Sequence, residues 1–313
     1  MIGEALEARA KFQHPDITAK GEQRASVAFA HLDTLWVNTG TLCHIECSHC
    51  YIDSSPTNDR LAYITADELA PFLDEAKRMN AREIGFTGGE PFLNPDMIAM
   101  AGAALSLGFE VLILTNAMRP MMRPAVQSGL LSLSERFGGR LTLRVSLDHY
   151  TAEGHDAERG AGGFNVSMKG LAWLRDNGVR FTVAGRSLSG ESEASLRRGF
   201  ARLFSELNIP LNAEDRGALV VFPEMDEARD IPEITVACWS ILGKSPDDVM
   251  CATSRMLVKR KGAPAPVVLS CTLLPYDAQF EMGANLRAAA AAVKLNHPFC
   301  AQFCVLGGAS CSG

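Results

Sequence analysis

Cys43-His44-Ile45-Glu46-Cys47-Ser48-His49-Cys50 carries three cysteines in a C-x3-C-x2-C spacing, just after the strand-like run Leu32-Asp33-Thr34-Leu35-Trp36-Val37-Asn38 and Thr39-Gly40. Thiolates are the usual ligands of iron–sulfur clusters, and closely spaced cysteines on an irregular loop gather them. Three thiolates hold three irons of a cubane cluster and leave a fourth iron open to another ligand. A closed structural zinc site wants four ligands. The next cysteine is Cys238, so a zinc reading must recruit His44 or His49 from within the loop. Both readings stand on the spacing alone.

Outward from this loop the chain alternates. Thr65 with Glu68 makes a capping box, and Leu69, Phe72, Leu73 and Ala76 form an apolar stripe at helical spacing. The strand Glu83-Ile84-Gly85-Phe86-Thr87 then runs into Gly88-Gly89-Glu90-Pro91. A helix over 95–107 stops at Gly108, and a strand over 110–114 ends in Thr115-Asn116, whose polar side chains face a cavity or satisfy a turn. Met122, Val126, Leu130, Leu133 and Phe137 mark the next helix, ahead of a strand over 141–146. A long loop through Asp148, His155 and Arg159 leads to a helix over 164–174 and a strand over 179–183. Leu196, Phe200, Leu203 and Leu207 mark a last helix before a strand over 218–222.

Six strands alternating with five helices imply parallel strands joined by right-handed crossovers. The expected fold class is α/β, a partial (βα)6 barrel over 32–223 that binds ligands at the C-terminal ends of its strands. Residues 1–31 read as a polar extension that packs on the outside or is partly mobile. From 224 prolines interrupt any long helix and six cysteines appear, so 224–313 is expected to be a small C-terminal Fe–S-binding domain.

With 313 residues, 47% of them hydrophobic and 21% charged, the chain can bury a sizeable core. A net charge of -6 lacks the basic face of a general nucleic-acid coat, so nucleic acid is not an expected partner. No apolar run approaches the roughly 18–20 residues that span a bilayer, so no membrane association is expected. The first twenty residues lack the basic and apolar regions of a secretory signal. Nine cysteines in such a chain read as a cytoplasmic metal protein rather than a disulfide framework.

The three-cysteine loop resembles the signature of the radical S-adenosylmethionine (radical SAM) superfamily, and the resemblance extends over about residues 32–222. It implies that Cys43, Cys47 and Cys50 hold a 4Fe-4S cluster whose open iron binds the amino and carboxylate groups of S-adenosyl-L-methionine. Reduction by an external low-potential donor such as flavodoxin or ferredoxin would cleave the sulfonium. The resulting 5′-deoxyadenosyl radical would take a hydrogen atom from a substrate carbon. His49 stands at the family's aromatic position before the last cysteine. Gly88, Gly89, Glu90 and Pro91 resemble the GGEP-type motif for the methionyl ammonium, where glycines admit a close backbone and a carboxylate offsets positive charge. Ser146 matches a small polar residue that meets the ribose, and Asp148 is placed for ribose or substrate. His155-Asp156-Ala157-Glu158-Arg159-Gly160 resembles the family's H-D-x-x-R-G, whose arginine pairs with the methionyl carboxylate. A solvated salt bridge is the plainer role for Arg159.

Cys251, Cys271, Cys300 and Cys304 resemble the ligands of a twitch domain, a shortened SPASM domain holding one auxiliary 4Fe-4S cluster. The fit departs in a long gap after Gly262 and a final C-x3-C, and Cys311 stands as a substitute ligand. Cys238 is left over, either as buried filler or as a hydrogen-atom donor to a substrate radical. His297 reads as a structural hydrogen-bond partner, Lys259-Arg260-Lys261 as a solvated loop or a contact for an anion, and 288–292 as a helix-favouring alanine run.

These features lead to an expected radical SAM enzyme of oxidoreductase or epimerase type acting on a small polar metabolite. About thirty residues precede the first strand, so no N-terminal winged-helix peptide-recognition domain is expected, which favours the metabolite reading. The alternative is a maturase modifying a ribosomally made peptide or protein. A non-catalytic Fe–S or zinc scaffold is the alternative of another class.

Overall fold

The computed structural model describes residues 10–187, 190–226 and 228–309. In chain order its elements are β1 (Ser26–Val27), β2 (Thr34–Asn38), α1 (Ala66–Arg78), β3 (Glu83–Thr87), α2 (Met97–Ser106) and β4 (Glu110–Thr115). Then come α3 (Pro124–Phe137), β5 (Leu141–Ser146), α4 (Ala152–Arg159), α5 (Gly163–Asp176), β6 (Phe181–Arg186), α6 (Glu193–Glu206) and β7 (Leu219–Phe222). The last part adds α7 (Cys238–Leu242), β8 (Ser254–Val258), β9 (Val267–Leu269), β10 (Glu281–Gly283) and β11 (Val293–Lys294).

The architecture is α/β with a mostly parallel central sheet, in the order β10-β9-β8-β2-β3-β4-β5-β6-β7. From β8 to β7 the strands are parallel, and β9 and β10 close one edge antiparallel. Side chains alternate across it with the period of two that a strand imposes. Leu35, Val37, Ile84, Phe86, Val111, Ile113, Leu143, Val145 and Val183 face one side, under apolar stripes from α1, α2, α3, α5 and α6. Trp36, Leu112, Met256 and Val258 face the other side and pack with Met225, Ile234, Phe303 and Val305 of the last ninety residues. Position 85 falls on this second face and needs a glycine, because the Trp36 ring lies 2.5 Å from where its Cβ would be. Fully burying each Leu, Val or Phe of these layers contributes about 1.5–3 kcal/mol.

Several sequence expectations change here. The capping box forms as read, with Glu68 N–H donating to Thr65 Oγ1 at 3.2 Å and Thr65 N–H to Glu68 Oε2 at 3.0 Å. The segment after Asp148, read as a loop, contains α4, capped by Thr151 Oγ1 on Gly154 N–H at 3.2 Å. Its sequence has too few apolar residues to show a stripe. The strand expected from 179 starts at Phe181, because Val179 N–H closes α5 on Leu174 O at 3.0 Å. The alanine run 288–292 is not helical. Arg255 instead draws the carbonyls of Ala289 and Ala291 to its guanidinium at 2.8 and 3.0 Å, and tertiary contacts outweigh propensity.

The ends of the chain are also more integrated than expected. Residues 224–309 place β8 beside β2 in the same sheet, so the change of texture at 224 is not a break in the hydrogen-bonded core. Residues of the leading extension are buried: β1 pairs with β11, and Arg24 forms a buried ion pair with Glu233 at 2.5 Å. Lys259, Arg260 and Lys261 each meet a carboxylate, Glu68, Glu281 and Asp59, at 2.5–2.8 Å. Among the described residues no helix is long and apolar enough to cross a membrane.

Candidate functional site

Parallel pairing puts the loops that follow β2, β3, β4, β5 and β6 on one edge of the sheet, and a cavity of about 160 Å³ opens there. Cys43, Cys47 and Cys50 form part of its wall, with Gly88, Gly89, Ser146, Asp148 and Arg159. Thr115, Asn116, Arg186 and an apolar set, Trp36, Leu114, Phe222 and Leu273, also line it. Thus most sequence-chosen residues of the first site converge. His49, Glu90 and Pro91 do not line the cavity and lie directly behind its wall or beside it.

The two glycines act first on the protein itself. A Cβ on Gly89 would stand 2.1 Å from the Leu42 carbonyl oxygen, and one on Gly88, at φ +141°, 2.6 Å from that of Gly40. Gly89 N–H donates to Gly40 O at 2.8 Å and Glu90 N–H to Leu42 O at 3.2 Å. The close backbone approach expected toward a ligand is therefore also an approach to the start of the cysteine loop.

Glu90 is buried, and its carboxylate accepts from Thr115 Oγ1 at 2.8 Å, Asn116 N–H at 3.0 Å and Phe92 N–H at 3.3 Å. Burial pushes its carboxyl above the usual range despite these bonds. It ties the end of β3 to the end of β4.

Asp148 and Arg159 form a bidentate pair, with Nε and Nη2 donating at 2.7 and 3.0 Å. Both are nearly buried. Burial pushes the Asp148 carboxyl up, but the charge and hydrogen bonds of Arg159, helped by Arg186, outweigh it and hold it below the carboxylate range. The salt bridge is real but is not solvated, and it lies in the cavity wall. His49 turns to Glu158, Nδ1 to carboxylate 2.9 Å.

The thiols fit a metal cluster by their chemistry. Burial pushes Cys43 up to about 12 and raises Cys47 as well, the latter opposed by Arg159. Thiolates at these two positions are costly unless a cationic group takes their charge. Among the described residues no three His, Cys, Asp or Glu side chains gather tightly enough to hold a single metal ion. The cysteines are spread around a cavity, and Ser54 Oγ in its wall is buried with no hydrogen-bond partner.

The later cysteines lie in the layer that covers the other face of the sheet. Cys251 sits in the 3-10 turn Met250–Ala252, and Cys300 and Cys304 sit on a π-helix, Cys300–Leu306, a rare winding that often marks functional sites. Burial pushes the Cys300 thiol well above its ordinary value, and the charges of Cys271 and Cys251 add to this. Cys238 heads α7, accepts from Thr235 N–H at 3.3 Å and does not line the cavity. Cys311 lies outside the described residues. His297 accepts from Phe299 N–H at 3.1 Å.

Sequence reasoning missed Arg186, Glu158 and Tyr51. The available signal was a lone arginine ending the otherwise uncharged strand β6, since a charge at the buried end of a parallel strand needs a partner there.

A family model described as the Radical SAM superfamily matches residues 37–197, just over half of the chain. AdoMet-dependent heme synthase of Methanosarcina barkeri is 30% identical over 142 residues, 45% of this chain and 38% of that protein. The antilisterial bacteriocin subtilosin biosynthesis protein AlbA of Bacillus subtilis is 28% identical over 143 residues, 45% of this chain and 30% of that one. Mycofactocin maturase MftC of Mycobacterium ulcerans is 30% identical over 129 residues, 41% of this chain and 32% of that one. The chain spans about a third of the length of these relatives. Streptococcus suis SuiB bound to S-adenosylmethionine shares the fold, with a TM-score of 0.60 at 14% identity over 82% of this chain and 64% of that one.

Proposed function

The chain belongs to the radical SAM superfamily, and from that premise we propose that it modifies a ribosomally made peptide or protein by hydrogen-atom abstraction. Membership implies a 4Fe-4S cluster and S-adenosylmethionine, which when bound together supply a 5′-deoxyadenosyl radical. The observation that carries the reading is the convergence of Cys43, Cys47 and Cys50 with Gly88, Gly89 and Arg159 around one cavity.

In this reading Cys43, Cys47 and Cys50 hold the cluster. The Gly88-Gly89 backbone, Ser146 and Arg159 hold S-adenosylmethionine. Asp148 orients Arg159 through its bidentate bond, so the guanidinium is fixed before its remaining donors engage a carboxylate. Glu90 holds Thr115 and Asn116 in place, and His49 braces the loop through Glu158. Trp36, Leu114, Phe222 and Leu273 exclude water and suit an apolar side chain of a peptide better than a small polar metabolite. Among the relatives, a bacteriocin biosynthesis protein and a maturase support the peptide reading over metabolite oxidation or epimerisation.

The same reading makes 32–223 a partial (βα)6 barrel and 224–313 a twitch-like cover with an auxiliary 4Fe-4S cluster on Cys251, Cys271, Cys300 and Cys304. The helices packed on one face of the sheet support the first, and the electrostatic proximity of Cys300 to Cys251 and Cys271 supports the second. A flavodoxin or ferredoxin supplies electrons in a reducing cytoplasm, where the described cysteines stay outside disulfides. Cys238, away from the cavity wall, is assigned no catalytic role.

The test offers the anaerobically reconstituted enzyme deuterated peptides rich in apolar side chains, and deuterated polar metabolites, and follows label into 5′-deoxyadenosine by mass spectrometry. Label from peptides supports the proposal. Label from metabolites alone overturns it.

A further inference from the structure

Two charged residues from outside the cysteine loop hold its second half. Arg186, at the end of β6, donates from Nη1 to the His49 carbonyl at 2.7 Å and stands 4.7 Å from the centroid of the Tyr51 ring. Glu158, on α4, forms an ion pair with Arg186, Oε2 to Nη1 3.6 Å, and meets His49 Nδ1 at 2.9 Å. Its backbone carbonyl accepts from Ser48 N–H at 2.9 Å, while Ser48 Oγ donates to Ala157 O at 3.2 Å. The Arg186 and Glu158 side chains are only 11% and 9% exposed, so this is a buried ion pair. In the sheet β6 is separated from β2 by β3, β4 and β5, yet its last residue bonds the loop that follows β2.

The loop is thus braced at both ends, by Gly88 and Gly89 against Gly40 and Leu42, and by Arg186 and Glu158 against Ser48, His49 and Tyr51. We propose that Arg186 and Glu158 are positioning residues that set the geometry and electrostatics of the cluster site. The inference rests on the cluster reading above. Because a trans peptide opposes its C=O and N–H, bonding the His49 carbonyl to Arg186 turns the Cys50 N–H the other way. Hydrogen bonds and charges around a cluster set its affinity and reduction potential. Arg186 brings a positive charge to the cavity wall, and Glu158 a compensating negative one just behind it.

The experiment reconstitutes the wild-type chain, Arg186→Gln, Arg186→Lys and Glu158→Gln. It measures iron loss to a chelator and the midpoint potential of that part of the reduced-cluster EPR signal which changes on adding S-adenosylmethionine. This restriction excludes any auxiliary cluster. Arg186→Gln is expected to lose iron about tenfold faster and to shift the potential to more negative values. Glu158→Gln is expected to shift it in the opposite direction, and Arg186→Lys to lie nearer the wild type than Arg186→Gln. A purely structural role would not give shifts of opposite sign. Wild-type potentials and iron retention in both charge-removing variants overturn the inference alone. A wild-type chain that takes up no cluster responsive to S-adenosylmethionine overturns the cluster reading and this inference together.

Discussion

The Leu42 carbonyl oxygen lies 2.1 Å from the place where Gly89 would carry a Cβ, so the loops after β2 and β3 pack backbone to backbone. A methyl group cannot enter without displacing the start of the cysteine loop. Gly89→Ala is therefore expected to destabilise the fold by about 1–3 kcal/mol, the usual cost of overpacking. It should also lower iron uptake. Urea denaturation and iron analysis on the same preparation check this, and wild-type values for both would refute it.

Asp148 leaves a buried guanidinium uncompensated when removed. Asp148→Ala is expected to cost about 3–5 kcal/mol, as breaking a buried ion pair does, and to weaken S-adenosylmethionine binding by freeing Arg159 to move. Denaturation curves and isothermal titration read the two effects. The Asp148 carboxyl is held below its unfolded value, so its stabilisation is present above about pH 3.9 and lost as pH falls through the folded value. The acid limb of the wild-type stability curve should flatten in this variant.

His155 is fully buried, and neither ring nitrogen has a hydrogen-bond partner among the described residues. Burial holds its pKa down at about 4. The neutral form is the one that fits, so stability present above the unfolded value of about 6.5 is lost as pH falls from there toward the folded value. The full loss is on the order of 3 kcal/mol. His155→Phe should remove this slope, as measured by thermal unfolding between pH 7 and pH 4. An unchanged slope would contradict the assignment.

Iron counts separate one cluster from two. The wild-type chain is expected to carry about eight irons, and a Cys300→Ser, Cys304→Ser double variant about four. About four irons in the wild type would remove the auxiliary site.

The strands over 83–87 and 141–146 were legible residue for residue, because each is a short run that mixes apolar with polar positions between turn residues. Parallel alternation then placed Cys43, Gly88, Ser146 and Arg159 on one edge without further information. What the sequence hid was mostly non-local. β8 pairs with β2 across more than two hundred residues, and nothing in Ser254–Val258 names that partner. α4 carries chiefly polar residues, so its helix is set by a cap and not by a stripe. Arg186 belongs to no motif, and its bond to His49 exists only once four βα units have brought β6 to the loop. The partners of Glu90 were hidden for a related reason, since two of its three donors, Thr115 and Asn116, come from the end of the next strand.

The central claim is that the three-cysteine loop serves reductive cleavage of S-adenosylmethionine. The direct measurement is 5′-deoxyadenosine formed by the anaerobically reconstituted chain with dithionite and S-adenosylmethionine, beside Cys47→Ala. The account predicts product from the wild type and none above background from the variant. Iron uptake by the wild type without 5′-deoxyadenosine, or equal product from both, would contradict it and leave a non-catalytic scaffold as the reading.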